Sequence, residues 1–178
     1  DGQERFRVQL PGLGSIGGFG GRDTDKTFYF SFSSYDTPPS ILTCDLATGA
    51  TSEWWRTSVP INTDDFEVRR VFVQSTDGAR VPMFITARSG TVLDGSNPVL
   101  LYGYGGFDIA IRPGFSVTRS VWLELGGVLA VANIRGGSEY GRTWHEEGMF
   151  ERKQQVFDDF IACGEWLIKE GWTSTNRL

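Results

Sequence analysis

The sequence is poor in the side chains that build metal sites and disulfides. Its 178 residues include one histidine, His145, and two cysteines, Cys44 and Cys163. The two cysteines are far apart and neither is close to His145, so a metal ion would find almost no ligands. Each cysteine sits inside an apolar run, which predicts two buried, reduced thiols rather than a disulfide. We therefore expect no metal site.

Positive charge and long apolar runs are also scarce. The chain has 17 lysines and arginines against 22 aspartates and glutamates, a net charge of −5. No basic stripe is available to neutralise phosphates, so we expect no nucleic-acid partner. No stretch approaches the length of a membrane span and no charged-then-apolar leader is present, so we expect no membrane partner.

The chain starts at Asp1 and contains only two methionines, Met83 and Met149. This pattern predicts the middle of a longer polypeptide, whose remainder would be the partner of this part. The glycine-rich runs 103–106 and 136–141 lack the Gly-x-Gly-x-x-Gly spacing before a helix and the Lys-Ser/Thr pair of nucleotide sites. We accordingly expect no cofactor.

The first third of the chain has the pattern of short β-strands. Four segments alternate apolar and polar residues or are β-prone: 6–10, 28–32, 40–45 and 52–56. The dense glycines between Gly12 and Gly21 predict an irregular or bulged strand in addition. Four short antiparallel strands suit one blade of a β-propeller, and a small isolated meander fits the pattern nearly as well. We place this part at residues 1–57.

Residues 58–178 have a different pattern, which begins with a hairpin. Segments 66–75 and 80–87 flank Asp77-Gly78, a dipeptide typical of tight turns between strands. Pro82 in the second segment predicts an edge strand, because proline cannot donate to a neighbour. Two continuous apolar runs follow, Val99–Tyr102 and Val128–Ala132, and such runs are typical of parallel strands covered on both faces.

Two helices are predicted beside these strands. Arg119–Leu125 lies between the two apolar runs, which gives a strand–helix–strand crossover. Residues 151–170 form a longer helix that ends at Gly171. Six of its residues share one face and should be buried: Phe157, Phe160, Ile161, Gly164, Leu167 and Ile168.

The run Leu-Tyr-Gly-Tyr-Gly-Gly-Phe at 101–107 follows the first apolar strand directly. Small residues around two phenols and a phenyl ring suit a loop in which N–H groups and a hydroxyl converge on one spot. The Tyr104 hydroxyl could donate a hydrogen bond to an oxyanion. The alternative, a packed tyrosine bonded to a backbone carbonyl, is equally compatible with the pattern.

No nucleophile and base in this chain match that loop. Ser138 resembles the serine of a nucleophile elbow, but Tyr140 occupies the place where the elbow requires glycine. His145 has Glu146 and Glu147 beside it, yet a lone histidine near a helix start is more often structural. We predict a loop role for Ser138 and a hydrogen-bonding structural role for His145.

Arg135 follows Asn133 at the end of the second apolar strand, and Asp158 and Asp159 lie near the start of the long helix. We predict a structural ion pair between Arg135 and one of these aspartates. The alternative is that Arg135 clamps a substrate carboxylate.

Seven motifs follow one another in the second half of the chain. They are the 101–107 run, Gly-Val-Leu-Ala-Val-Ala-Asn-Ile-Arg-Gly-Gly at 127–137, Glu-Tyr-Gly at 139–141, Trp-His at 144–145, Phe-Asp-Asp-Phe at 157–160, Gly-Trp-Thr-Ser at 171–174 and Arg-Leu at 177–178. In this order they resemble the prolyl oligopeptidase family of serine peptidases, densely over residues 66–178. Residues 1–57 resemble, less closely, the last part of that family's seven-bladed propeller.

The resemblance implies a serine endopeptidase or oligopeptidase that cleaves short peptides on the carboxyl side of proline. It implies that Tyr104 lends its hydroxyl to the oxyanion hole and that Phe107 lines the pocket for the proline ring. The family's nucleophile elbow would follow Leu178 after about seven residues, with the triad Asp and His later still. His145 is therefore not the triad histidine, and this chain alone is predicted to be inactive.

The predicted fold class is the N-terminal half of an α/β hydrolase preceded by β-propeller strands, with domains at 1–57 and 58–178. The expected partners are short proline-containing peptides, and the expected compartment is the cytoplasm, with the periplasm as the alternative. The rival hypothesis is a non-catalytic binding or interaction module derived from that fold. It predicts a stable monomer of 178 residues, whereas the peptidase hypothesis predicts an isolated chain with an unpaired sheet edge and exposed apolar surface.

Overall fold

The β-prone segments of the first third form one antiparallel sheet. The description covers residues 2–178 of a computed structural model. The sheet has the order β1-β2-β3-β4. Its strands are β1 (Ser15–Gly20), β2 (Thr27–Ser33), β3 (Ser40–Asp45) and β4 (Thr51–Arg56). The register shifts between Gly17 and Gly20, as predicted for a bulged strand among the glycines.

The predicted strand at 6–10 is wrong. These residues have no regular structure, because β1 takes the position beside β2. Phe6 and Val8 nevertheless pack against the buried core of this sheet, so the alternation reflects burial rather than strand pairing. A period of two shows which side chains face inward, but it does not say whether the backbone has a partner.

The second sheet contains the predicted hairpin and the two apolar strands, in the order β5-β6-β8-β7. Its strands are β5 (Phe66–Gln74), β6 (Arg80–Arg88), β7 (Val99–Gly103) and β8 (Val128–Ala132). β5 and β6 form the hairpin around Gly78, whose φ of 89° is left-handed. β7 and β8 are parallel, as predicted.

The edge position predicted from Pro82 is wrong. β6 lies inside the sheet, between β5 and β8. The ladder with β8 runs only from Met83 to Thr86, so Pro82 lies just beyond its end. There it accepts a hydrogen bond from Asn133 N (2.8 Å) and needs no N–H of its own.

Helix α1 (Val117–Glu124) connects β7 to β8, and Ser116 caps its first turn. All five residues of β8 are buried, as a strand covered on both faces requires. β7 differs from the prediction because it is an edge strand of this sheet and only one face is well covered. Leu100 and Tyr102 remain 47% and 37% exposed.

The long helix α3 (Gln154–Lys169) confirms the predicted element and part of its predicted face, since Gly164 and Leu167 are buried and Phe160 packs against the core. It begins after a short α2 (Arg142–Glu146) and a 3₁₀ turn at Phe150–Arg152. Its buried residues are Val156, Asp159, Cys163, Gly164 and Leu167. Phe157 and Ile161 are more than half exposed. The helix is rotated relative to the prediction because Asp159 turns inward to an arginine, which apolar periodicity cannot register.

The main core lies between the second sheet and α3, and the first sheet has a smaller core of its own. Cys163 lies in the former and Cys44 in the latter, and both are free and buried, as predicted. Burial raises the pKa of the Cys163 thiol to about 12. No helix within residues 2–178 combines the length and apolar character that a membrane crossing requires.

The two sheets are joined by polar and aromatic contacts. Ser15 Oγ donates to Pro113 O (2.7 Å), and Ser33 Oγ accepts from Phe115 N (3.2 Å). The Tyr35 ring packs 5.8 Å from the Phe84 ring, centroid to centroid. The segment that leads into α1 therefore lies against the first sheet.

Candidate active-site loop

Two glycine-rich loops emerge at the same edge of the second sheet. The 103–108 loop follows β7 and the 133–139 loop follows β8, and these strands are parallel with Val99 opposite Val128. Side chains that follow adjacent parallel strands meet at the carboxyl edge of the sheet, where α/β folds place their functional groups. The parallel pairing of β7 with β8 therefore brings the two loops together.

The 103–108 loop has a backbone that only glycine permits at one position. Gly105 has φ +61°, and a Cβ there would lie 2.6 Å from side-chain carbons of both Ile134 and Val156. Phe107 and Asp108 also adopt left-handed φ values, of 54° and 56°. Consecutive strained residues of this kind are typical of functional sites whose surroundings hold them in place.

Tyr104 and Phe107 are the exposed aromatics of this loop. Tyr104 is 43% exposed and Phe107 is 84% exposed, with their ring centroids 6.5 Å apart. Among residues 2–178 the Tyr104 hydroxyl has no hydrogen-bond partner, so the carbonyl-bonded alternative considered above is not what the structure shows. The phenol also borders a mostly apolar cleft of about 370 Å³ against α3.

Three side chains hold the backbone of the 103–108 loop. Lys153 Nζ donates to Gly105 O and Ser138 Oγ donates to Asp108 O, both at 2.8 Å. His145 Nδ1 lies 2.6 Å from Gly136 O and 3.2 Å from Asp108 N. Ser138 and His145 thus have the loop and hydrogen-bonding roles predicted for them.

Arg135 is the centre of the 133–139 loop and is almost fully buried, with 3% of its side chain exposed. Nε and Nη2 donate to the two carboxylate oxygens of Asp159, at 2.9 and 2.6 Å. Nη1 and Nη2 donate to the carboxylate of Asp77, at 2.5 and 3.1 Å. Nη1 also donates to Gln155 Oε1 (3.2 Å).

These bonds occupy all five N–H donors of the guanidinium. The predicted structural ion pair is confirmed with Asp159, whereas Asp158 accepts a bond from Gln154 instead. The alternative role as a clamp for a substrate carboxylate is excluded by geometry, because no donor of Arg135 remains free.

The charges in this network support one another. The hydrogen bond from Arg135 holds the pKa of Asp77 below its ordinary value. The hydrogen bond to Asp159 is the main cause that raises the pKa of Arg135 above its ordinary value. The guanidinium is therefore permanently charged, and the network serves as a rigid base below the loops.

Sequence reasoning missed several members of this site. Asp77 was assigned only to a turn, although it lies 58 residues before Arg135 and reaches it through the hairpin. Glu139 accepts from Ile111 N (2.9 Å) and Asn133 Nδ2 (3.1 Å), which fixes the end of the 133–139 loop. No local sequence pattern indicated a role for Lys153. Among residues 2–178 no three His, Cys, Asp or Glu side chains come together as a metal ion would need.

Comparison with known proteins supplies the wider context. The model of the prolyl oligopeptidase family matches residues 113–178, and the model of the prolyl oligopeptidase N-terminal beta-propeller domain matches residues 1–57. A prolyl endopeptidase of Elizabethkingia miricola is 46% identical over 171 residues. That alignment covers 96% of this chain and 24% of the relative, so the chain spans about a quarter of the length of the curated relatives it matches.

Solved structures agree with these matches. A structure from a study of two prolyl endopeptidases superposes with a TM-score of 0.85 at 43% identity, covering 96% of this chain and 25% of that one. Prolyl oligopeptidase B from Galerina marginata, solved with a 25-residue macrocyclization substrate, superposes with a TM-score of 0.82 at 35% identity. It matches 92% of this chain and 23% of its own. The chain belongs to the prolyl oligopeptidase family and combines β-propeller strands with the first part of an α/β-hydrolase sheet.

Proposed function

We propose that the polypeptide carrying this chain is a serine-type endopeptidase or oligopeptidase that cleaves short peptides on the carboxyl side of proline. In this proposal residues 1–57 belong to the propeller and residues 58–178 to the peptidase domain. The chain supplies Tyr104 as an oxyanion donor and Phe107 as a wall of the proline pocket. The triad lies outside it, so the chain alone is inactive. We propose the cytoplasm as its compartment, with the periplasm as the alternative.

The observation that carries the proposal is the Tyr104 hydroxyl, which no group within residues 2–178 binds, on a loop whose backbone is held by its neighbours. When a serine attacks a prolyl carbonyl, negative charge develops on the carbonyl oxygen. A donor that is already fixed in place stabilises this charge more than it stabilises the neutral substrate, and that difference accelerates the reaction. The names of the matched relatives, and the peptide bound in one of them, support the substrate class.

The neighbouring Phe107 suits a pocket for a rigid apolar ring. Its side chain is 84% exposed and lies on the same loop as Tyr104. Covering an exposed phenyl ring with another apolar ring removes both from water, which favours binding. Proline is the natural residue with a rigid apolar ring, so the pair could hold a prolyl residue and polarise its carbonyl together.

The test uses the complete polypeptide and several short peptides with proline or alanine before the scissile bond. We expect Tyr104→Phe to lower kcat on the order of ten- to a thousandfold, as loss of an oxyanion donor does. Tyr102→Phe, which removes a phenol hydroxyl two residues earlier, is the matched control and should leave kcat unchanged. Phe107→Ala should reduce the preference for proline over alanine.

Unchanged turnover of Tyr104→Phe on every peptide would overturn its assigned role. A complete polypeptide that binds these peptides without cleaving them would favour the non-catalytic module instead.

A further inference from the structure

We propose that Lys153 is a positioning residue of the peptidase: its ammonium group holds the Gly105 carbonyl and thereby fixes the direction of the Tyr104 hydroxyl. This inference rests on the proposed function, because it concerns the same oxyanion donor. It adds a residue that lies 49 positions after Tyr104 and on a different element.

The contact joins the start of α3 to the middle of the 103–108 loop. Lys153 precedes the first residue of the helix, and its Nζ lies 2.8 Å from Gly105 O. The other side-chain contacts to this loop lie at its far end, where Ser138 Oγ donates to Asp108 O and Asp108 N donates to His145 Nδ1. Lys153 is thus placed to control the segment next to Tyr104, which those two residues do not reach.

That segment needs an external constraint. Gly103, Gly105 and Gly106 surround Tyr104, and glycine has the widest backbone freedom of any residue. The peptide unit is planar, so holding the Gly105 carbonyl fixes the whole Gly105–Gly106 plane. This plane lies between Tyr104 and Phe107 in the chain. A bond from an ammonium group is stronger than one between neutral groups, which suits it to hold a glycine-rich backbone.

The surroundings of Lys153 agree with this role. Its side chain borders the cleft beside Tyr104 and also a second cleft, of about 470 Å³, beside Phe107 and His145. Its ammonium nitrogen lies 6.0 Å from the centroid of the Phe157 ring. Lys153 therefore borders both the cleft beside Tyr104, the proposed oxyanion donor, and the cleft beside Phe107, the proposed pocket residue.

The first test is a set of single variants of the complete polypeptide, assayed on the proline peptides. Lys153→Met keeps the long apolar stem beside Phe157 but removes the ammonium group. We expect kcat to fall about ten- to a hundredfold with KM nearly unchanged, because misplacing a group that acts in the transition state has this effect. Lys153→Arg retains a charged donor and should restore most of kcat.

Lys169→Met is the matched control. It removes the same charge from the exposed far end of the same helix, away from the loop. We expect its kcat to stay within about twofold of the unmodified enzyme, as surface substitutions away from a site usually do. An equal loss in both variants would show an effect of net charge on the helix and would overturn the positioning role.

The decisive test combines Lys153→Met with Tyr104→Phe. If Lys153 acts through the Tyr104 hydroxyl, its substitution should cost less than about twofold in kcat once that hydroxyl is gone. Losses that multiply in the double variant would overturn the inference, and so would full turnover of Lys153→Met. If Tyr104→Phe alone has no effect, the proposed function of Tyr104 fails. If Tyr104→Phe lowers kcat but Lys153→Met does not, the proposed function stands and this inference alone fails.

Discussion

The two glycine-rich loops at the edge of the second sheet have opposite characters. In the 133–139 loop, Arg135 is 3% exposed and all its donors are bonded. In the 103–108 loop, Phe107 is largely exposed, Tyr104 is partly exposed, and the Tyr104 hydroxyl is unbonded among residues 2–178. Both loops follow parallel strands, so strand position alone does not decide whether a loop exposes its side chains.

The two loops differ in whether their polar groups are bonded within the fold or exposed. A bonded and buried polar group cannot meet a substrate, but it holds its surroundings still. A group with free hydrogen-bonding capacity can meet a substrate, but it needs neighbours that fix it. The two loops touch through glycines, since a Cβ on Gly136 would lie 2.5 Å from Gly105 O. The supporting loop therefore packs directly against the exposed one.

The largest effect is expected where the supporting loop is broken. Asp159→Ala removes the fully buried partner of Arg135 and leaves its charge with Asp77, Gln155 and the more distant Glu147 (4.0 Å). It should lower the free energy of unfolding by about 3–5 kcal/mol. Urea denaturation of the complete polypeptide measures this. Asp158→Ala is the control, because Asp158 bonds only to Gln154 on the same helix. Similar losses in both variants would contradict a distinct supporting role for Arg135 and Asp159.

An intermediate effect is expected where the two loops touch. Gly136→Ala should cost about 1–3 kcal/mol, from left-handed strain together with the clash against Gly105. It should also lower kcat, because Gly105 must shift. Gly126→Ala separates the two causes: its φ is also left-handed, at +86°, but a Cβ there meets nothing within 4 Å. If Gly126→Ala lowers kcat as much as Gly136→Ala does, the contact between the loops has no special role.

The smallest effect is expected at the rim of the supporting network and depends on pH. The Asp77 pKa is held below its ordinary value of 3.8, chiefly by the bond from Arg135. Its contribution to stability is therefore present above pH 3.8 and is lost as the pH falls through the lower, folded-state pKa. Because its side chain is 38% exposed, Asp77→Asn should cost only about 1 kcal/mol at pH 7. The difference from the unmodified protein should shrink in urea titrations below about pH 4, and a difference that grew in acid would contradict this.

Local sequence patterns predicted the strands and helices better than they predicted which elements lie beside one another. β2, β3 and the hairpin around Gly78 were predictable because strand alternation and turn chemistry are encoded within a few residues. The segment 6–10 has the same alternation but no strand partner, and Pro82 lies in an interior strand just beyond the end of its ladder. Both errors concern neighbours that are distant in sequence.

The candidate site shows the same limit. The ion pair of Arg135 with either Asp158 or Asp159 was predictable, because Arg135 follows a buried strand and the aspartates lie near a helix start, and the structure selects Asp159. Asp77 and Lys153 were not predictable, because their partners lie 58 and 48 residues away. The buried face of α3 was predicted with Phe157 and Ile161 inward, and the inward turn of Asp159 overrode that apolar pattern.

The sequence by itself determined the order of elements, the two kinds of sheet and the glycine-rich loop that presents Tyr104 and Phe107, because these depend on residues close together in the chain. Tertiary structure alone decided which polar groups are bonded within the fold and which keep free hydrogen-bonding capacity. A hydrogen bond between distant residues depends on where the fold brings their atoms, and no local pattern contains that distance. This is why all donors of Arg135 are hydrogen-bonded, whereas within residues 2–178 the Tyr104 hydroxyl has no hydrogen-bond partner.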